Sequence, residues 1–343
     1  MIRSAGRFLG AALALTSALA ATAEPSDAGA PPSGRRGPLE FRDEWLLAQP
    51  RLTLPALSPD PLPRGVTRVS LDLAWGSDFG WQPSTATTRR TDYLVDGEHR
   101  TVAVDVRRGL TPALTVGARV PLRWRGGGIM DGIIDWFHGL TGLPGGARPV
   151  FPADQLRVEW VGPLRRTVRW DAEPGGGLGN VELFGHWAFR RREDGWTAAL
   201  AARTTLPTGA GTFSGNGLEA GAQLVSARAL GGSFDLYAGG GATAHATDVL
   251  AAIEYAPVRG HGFVALEWRP ARRLSVSVEL DASTRLVENL PRYPGWQGYF
   301  RMGAALDLSR RWRVQGGFVE GIKSQNATTD FGIAAGVSRA FGR

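Results

Sequence analysis

The chain contains no cysteine. Disulfides, thiolate metal centres and cysteine-linked lipid anchors are therefore excluded, and an exported chain of this size must draw its stability from elsewhere. Lysine is nearly absent: Lys323 is the single one, and arginine supplies the rest of the basic total behind the formal charge of +7. Acids and bases are interspersed rather than sorted into a basic stripe with aromatics between, which argues against nucleic acid as a partner. Beyond the N-terminus no apolar run reaches the roughly 18 residues of a membrane-crossing helix. There is no G-x-S-x-G, and no Gly-Lys-Ser/Thr of a phosphate loop. The glycine-rich "EPGGGLGN" at 173–180 reads as a loop entering a strand. The 47 glycines and 22 prolines are scattered without a period, so collagen-like and low-complexity chains are excluded as well. No cofactor is expected.

Residues 1–23 have the form of a signal peptide. Arg3 and Arg7 precede the apolar "FLGAALALTSALA", and "ATA" at 21–23 fits a small-residue cleavage site. Residues 24–64, rich in Pro, Ala, Gly and Ser, read as a mostly irregular N-terminal linker. Within it, "FRDEWLLAQ" at 41–49 is an apolar patch suited to docking. The remainder, 65–343, is expected to be one domain.

From Val66 onward the apolar period is two. In "LSVSVELDASTRL", Leu274, Val276, Val278, Leu280, Ala282 and Leu286 share one face, and Ser275, Ser277, Glu279, Asp281, Ser283 and Arg285 the other. Successive strand residues point to opposite sides, so this strand separates an apolar face from a charged one. "VSLDLAW", "TVAVDVR", "LTVGARV" and "FRMGAALDL" repeat the pattern, and less regular copies bring the total to about twelve. Short connections at 109–112, 192–195, 230–233, 270–273 and 309–312 alternate with long ones at about 77–98, 123–177, 207–217, 245–259, 287–296 and 324–329. That alternation is the habit of outer-membrane barrels. Trp196, Trp268 and Trp312 beside short turns, and Trp75 and Trp124 beside long loops, fit two interfacial girdles. In lipid every backbone N–H and C=O must pair within the protein, so such a sheet has to close. The expected fold is an all-β, antiparallel transmembrane barrel of about twelve strands in the bacterial outer membrane. Its partners would be outer-membrane lipid, lipopolysaccharide and the barrel-assembly machinery.

One piece breaks the rhythm. In "GGGIMDGIIDWFHGLTGLPGG", 126–146, Ile129, Ile133, Trp136, Phe137 and Leu140 recur at helical spacing between glycines. This short amphipathic helix falls in a long extracellular-side loop, where it can cap or constrict the lumen or lie at the membrane interface. Asp131, Asp135 and His138 share its other side. Carboxylates plus an imidazole suit a divalent cation, and a plain polar face suits them equally. The inner face of the barrel should carry Arg68, Asp72, Asp105, Arg107, Arg119, Glu182, Arg203, Glu267, Glu279, Asp281, Arg285, Arg301 and Asp307. Rings of one sign would argue ion selectivity, whereas both signs together argue at least as well for salt bridges that plug a narrow barrel.

The stretch 126–156, with its Gly-rich turn, Asp, Trp/Phe-His pair, "GLP" and later "DQL", resembles an uncharacterised proteobacterial family, domain-of-unknown-function family 3187. "VSLDLAW" and the "DGE" of Asp96, Gly97 and Glu98 extend the resemblance over about 66–343. It implies an outer-membrane barrel and carries over no activity. The family's build departs at the C-terminus, where barrels usually end on an aromatic residue but Phe341 is followed by Gly342 and Arg343. Three functions fit: a narrow or gated channel or binding barrel for a small solute, with the 126–146 helix as its lid; an outer-membrane enzyme acting on lipid; or a closed structural barrel. No Ser-His-acid pairing can be read from the sequence, so the first is the expectation and the others its alternatives.

Overall fold

The computed structural model describes residues 34–83, 91–141, 151–162, 166–170, 174–191, 196–245, 249–323 and 327–342. The signal peptide expected at 1–23 and the turn at 192–195 lie outside them. Twelve long strands form the wall: β1 (Thr67–Pro83), β2 (Thr91–Gly109), β3 (Leu114–Gly126), β4 (Val181–Arg191), β5 (Thr197–Leu206), β6 (Glu219–Gly231), β7 (Phe234–His245), β8 (Val258–Ala271), β9 (Leu274–Thr284), β10 (Trp296–Asp307), β11 (Trp312–Lys323) and β12 (Phe331–Phe341). Each pairs antiparallel with its sequence neighbours, and β1 pairs β12 from Thr67↔Phe341 to Ser77↔Phe331, which closes the barrel. No strand edge is left to lipid.

β9 shows why the register holds. Ser275, Ser277, Glu279, Asp281 and Ser283 are buried inside, while Val278 and Leu280 are exposed on the outer face. A slip of one residue would exchange the two sets. The outer surface carries Trp187, Trp268 and Trp312 toward the short-turn end and Trp124 and Trp296 toward the long-loop end, all exposed. These are the two aromatic girdles; Trp187 and Trp296 join the expected members, of which Trp75 and Trp196 are half-buried.

The first long loop is shorter than the sequence suggests. The region expected as a loop over 77–98 is mostly sheet, because β1 and β2 stay paired up to Pro83↔Thr91. Above the membrane neither face has to be apolar, so the alternation fades while the ladder continues. A short strand, Arg157–Val161, pairs with Tyr93–Asp96 of β2 after β3 has left at Gly126, and Gly175–Leu178 leads along β3 into β4.

The largest departure concerns 34–64. The sequence reading made this segment a linker; it is irregular in backbone but runs inside the barrel. It enters beside the short turns, where Arg36 bonds the Arg272 carbonyl at 2.5 Å. It climbs to a turn at 45–51 beneath the long loops, closed by Gln49 N donating to Trp45 O at 2.8 Å. It then returns, with Leu62 N donating to Thr115 Oγ1 at 2.8 Å, to begin β1. The wall makes room for it with small inner residues: Ala199, Ala201 and Ala265 pack with Leu57 of the hairpin, and Ala305 with Leu39 and Phe41. Gly317 is required by this contact, since a Cβ there would lie 2.9 Å from the Phe41 ring and nearer still to the Met302 carbonyl.

Candidate functional site

An irregular chain inside a barrel cannot use a sheet ladder, so its backbone groups need other partners. The charged inner wall supplies them. Glu267 accepts from Arg36 N at 3.0 Å and Gly37 N at 3.2 Å, Asp78 from Leu46 N at 2.7 Å, and Glu219 from Leu52 N at 2.5 Å. Gln223 donates to the Pro55 carbonyl at 2.9 Å.

Ion pairs then pin the hairpin along its length. Arg35 meets Asp235 at 2.7 Å, Arg36 meets Asp307 at 2.7 Å, and Glu40 meets Arg107 at 2.5 Å. Arg42 meets Glu182 at 2.7 Å, Asp43 meets Arg259 at 2.7 Å, and Arg51 meets Glu219 at 2.8 Å. Glu40 holds a left-handed φ of +54°, uncommon for a residue with a side chain, and in that conformation its carboxylate takes both Arg107 amino groups. At the tip Trp45, Leu46 and Leu47 are fully buried with loop residues Leu250, Ile253, Tyr255, Leu290 and Tyr293. Each such side chain contributes about 1.5–3 kcal/mol through burial. The same burial holds the Tyr255 and Tyr293 phenols above their ordinary range, hence neutral.

The expected inner charges divide accordingly. Arg107, Glu182, Glu267 and Asp307 bind the hairpin. Arg119 pairs with Asp72 at 3.1 Å, Asp105 with Arg107 at 2.7 Å, and Arg203 with Glu182 at 3.5 Å. Arg301 pairs with Glu279 at 2.8 Å and with Asp281. Arg285 is the exception. It lies past the end of β9, half-exposed, bonding Glu288 at 3.4 Å and the Tyr293 carbonyl at 2.7 Å, because the chain turns into its loop one residue earlier. Leu286 likewise leaves the outer face and is buried under that loop. Asp235, Glu219 and Arg259 were missed in sequence; they stand on strands whose alternation is interrupted by glycine.

Helix α1 (Met130–Thr141) sits on the outer wall. Glu98 shares its parity with the outward Val102, Val104 and Val106, and it accepts from Trp75 Nε1 at 2.8 Å and from Met130 N at the helix start. Met130, Asp131 and Ile134 are buried, whereas Ile129, Ile133 and Trp136 are exposed, Trp136 to 66%. Of the apolar face expected at the lumen or the membrane interface, Ile129, Ile133 and Trp136 are turned away from the wall, since the barrel contact is made one residue later in the helical repeat. The side chains of Phe137, His138 and Leu140 lie outside the described residues. Asp131 accepts from Asp154 N at 2.9 Å and Asp135 is exposed; among the described residues no group of three ligands suits a metal ion.

Between the ascending limb and the β11–β12–β1 wall lies a tapering series of cavities. The wall there is small-sided: Gly332, Ala334, Gly336 and Ser338 of β12, Ser70 and Ala74 of β1. At the short-turn end is a cavity of about 630 Å³. Next comes one of about 90 Å³ beside Glu40, Asp72 and Arg119, sharing Arg36, Arg68 and Arg107 with the first. The last, about 20 Å³, lies under Trp75 and His99, and Phe41, Arg42 and Glu44 form the narrowing between the two.

A closed barrel with an apolar outer belt and two aromatic girdles is an outer-membrane protein. The COG4313 outer membrane channel from Pseudomonas putida F1 has a similar fold: TM-score 0.56, 14% identity, 82% of this chain and 97% of that one covered. At that identity the likeness is one of fold. The NanC porin (TM-score 0.43, 8% identity, 80% of this chain and 99% of that one) and the KdgM porin (0.42, 6%, 79% and 99%) align over similar lengths at scores too low to weigh. No curated protein matches. The profile of the family described as "Protein of unknown function (DUF3187)" matches residues 14–341, and the chain therefore belongs to that family.

Proposed function

We propose that this barrel is a narrow channel for a small solute, closed at rest by its own N-terminal hairpin. The observation that carries the reading is the row of cavities along β11–β12–β1. It falls from about 630 to about 20 Å³ at Phe41, Arg42 and Glu44, so a modest shift of one hairpin limb joins the spaces. An eight-stranded barrel is filled by side chains and a sixteen-stranded one holds an open aqueous channel. Twelve strands leave room for one extra chain and little more. The hairpin thus takes the gating part expected of the 126–146 helix.

The helix then belongs to the membrane boundary. Ile129, Ile133 and Trp136 continue the outward apolar surface of β1 at the level of Trp124, which fits the outer leaflet of lipid and lipopolysaccharide. Outward residues Ile333, Val337 and Phe341 make β12 the strand for the barrel-assembly machinery to read.

Planar-bilayer recording tests the channel. The wild-type protein should give rare, small openings, and Arg42→Ala, which frees the narrowing from Glu182, should open more often. A barrel that stays silent in both forms refutes the reading.

A further inference from the structure

The cavity of about 630 Å³ at the short-turn end is unlike the rest of the lumen in charge. Nine arginines line it, including Arg35, Arg36, Arg107 and Arg313, against three carboxylates, Glu40, Asp60 and Asp307. Those carboxylates are already engaged. Glu40 is held by Arg107 at 2.5 Å, Asp307 by both Arg36 and Arg313 at 2.7 Å, and Asp60 lies 3.9 Å from Arg35. Arg68, Arg272 and Arg273 line the same space, and their guanidinium groups make no hydrogen bond or ion pair among the described residues.

Arg68 is the telling one. The register sets it directly opposite Arg107 on β2, and like charges opposite each other across strands are destabilising. Higher up the wall both signs alternate and cancel. Here Arg107 is answered by Glu40 and Asp105, and the charge of Arg68 is left over beside a cavity of ligand size, within the usual range of roughly 300–1,000 Å³. Leu57, Leu62 and Val66 add an apolar side to the same cavity.

We infer that this cavity is a binding site for a small organic or inorganic polyanion, carboxylate or phosphate, whose charge is taken by Arg68 with Arg272 and Arg273. Arginine forks match both anions through paired N–H donors, and the apolar side suits a carbon skeleton on the ligand. This deepens the channel reading by naming the class of solute, yet binding is measurable without conduction.

The test is calorimetric titration of the full chain in zwitterionic detergent at low salt, with citrate and inorganic phosphate as separate probes and chloride as control. Saturable binding of citrate or phosphate is expected, weakened by added salt. Arg68→Gln should weaken it roughly tenfold or more. The same variant should melt higher than wild type in anion-free buffer, since it removes the Arg68–Arg107 repulsion, and should lose the stabilisation that citrate gives wild type. Arg285→Gln, outside the lumen, should bind like wild type. If neither probe binds saturably, or Arg68→Gln binds as tightly as wild type, the site is refuted, whatever the bilayer shows. A silent bilayer with intact, Arg68-dependent binding refutes the channel and leaves the site standing. Citrate binding without phosphate binding, or the reverse, identifies which anion chemistry the cavity takes.

Discussion

Replacing Asp43 by alanine probes the docking of the hairpin directly. Its carboxylate accepts from Arg259 and from Tyr299, each at 2.7 Å, within a buried setting near the hairpin tip. In the variant the docked state keeps Arg259 buried with Gln297 at 2.7 Å as its main partner, and a cation is left without its counter-charge. Removing one member of a buried pair costs about 3–5 kcal/mol. The undocked state escapes most of that cost, because water reaches Arg259 once the hairpin leaves. The penalty therefore falls on docking rather than on the barrel. At about 1.4 kcal/mol per factor of ten, the undocked population should rise roughly 10²- to 10³-fold. Trypsin reports it. Arg42 and Arg51 are almost wholly covered in the docked state, at 8% and 1% side-chain exposure, and become substrates on release. At low protease, where opening is fast relative to cleavage, the cutting rate follows the open population. The cleavage rate within 35–51 should rise by the same two to three orders of magnitude while the barrel still runs as a heat-modifiable band. Asp43→Ala with Arg259→Met should restore much of the protection. Cleavage at the wild-type rate in the single variant would mean that the hairpin is not held by this pair, and the account of the plug would fail.

Two further outcomes follow from the outer surface. Leu280→Arg places a cation on the lipid face of β9 and should cost about 2–4 kcal/mol near the midplane, read as a lower urea midpoint for folding into vesicles; Ser277→Arg on the inner face should show a different, salt-sensitive loss. Because the chain has no native cysteine, Ile133→Cys carries a single nitroxide label; in outer-membrane-like vesicles it should be more accessible to oxygen than to a water-soluble nickel chelate, and the opposite order would remove α1 from the interface.

The wall was legible because lipid imposes a two-residue rhythm on it. Each of Leu71, Leu73, Val278 and Leu280 had to face out, so their neighbours had to face in, and strand number and turn parity followed. The extension of β1 and β2 to Pro83 and Thr91 was hidden for the same reason: beyond the membrane no solvent demands alternation. The hairpin was illegible in its place, though not in its chemistry. Its composition of Pro, Gly and Ala has no period, since its backbone bonds go to side chains such as Glu267 and Asp78 instead of to a ladder. The signal that remained was the density of charge at Arg35, Arg36, Glu40, Arg42, Asp43 and Arg51 in a segment otherwise typical of a linker. Each of those charges has a partner of opposite sign on the wall. For α1 the spacing was legible and the direction stayed open, because an apolar stripe fits a lumen and a lipid interface alike; the bond from Met130 N to the outward Glu98 sets the helix start against the outer wall.

The inner charges of both signs admitted two meanings, selectivity or plugging, and the geometry assigns the two meanings to different heights. From Glu182 upward, acids and bases are matched within about 3.5 Å across wall and hairpin, so that part of the lumen has little field left to offer a passing ion. Below it the matching is incomplete: Arg35, Arg36, Arg107 and Arg313 each meet an acid, whereas Arg68, Arg272 and Arg273 do not. The wall's Asp235 and Asp307 take Arg35 and Arg36 of the hairpin, and Glu40 with Asp105 takes Arg107, which leaves no acid for Arg68. A tight plug alone needs no cation at position 68, opposite Arg107 and beside Arg313, because Glu40, Asp105 and Asp307 already meet those two arginines. Retaining a third arginine there is costly unless something else brings the negative charge, and the cavity leaves space for that to be a solute. Anion affinity and hairpin docking are then linked: the cavity is lined by Arg35 and Arg36 of the hairpin as well as by Arg68 of the wall, so an anion held there favours the docked state, and citrate should slow tryptic cleavage of the wild-type hairpin and have no such effect on Arg68→Gln.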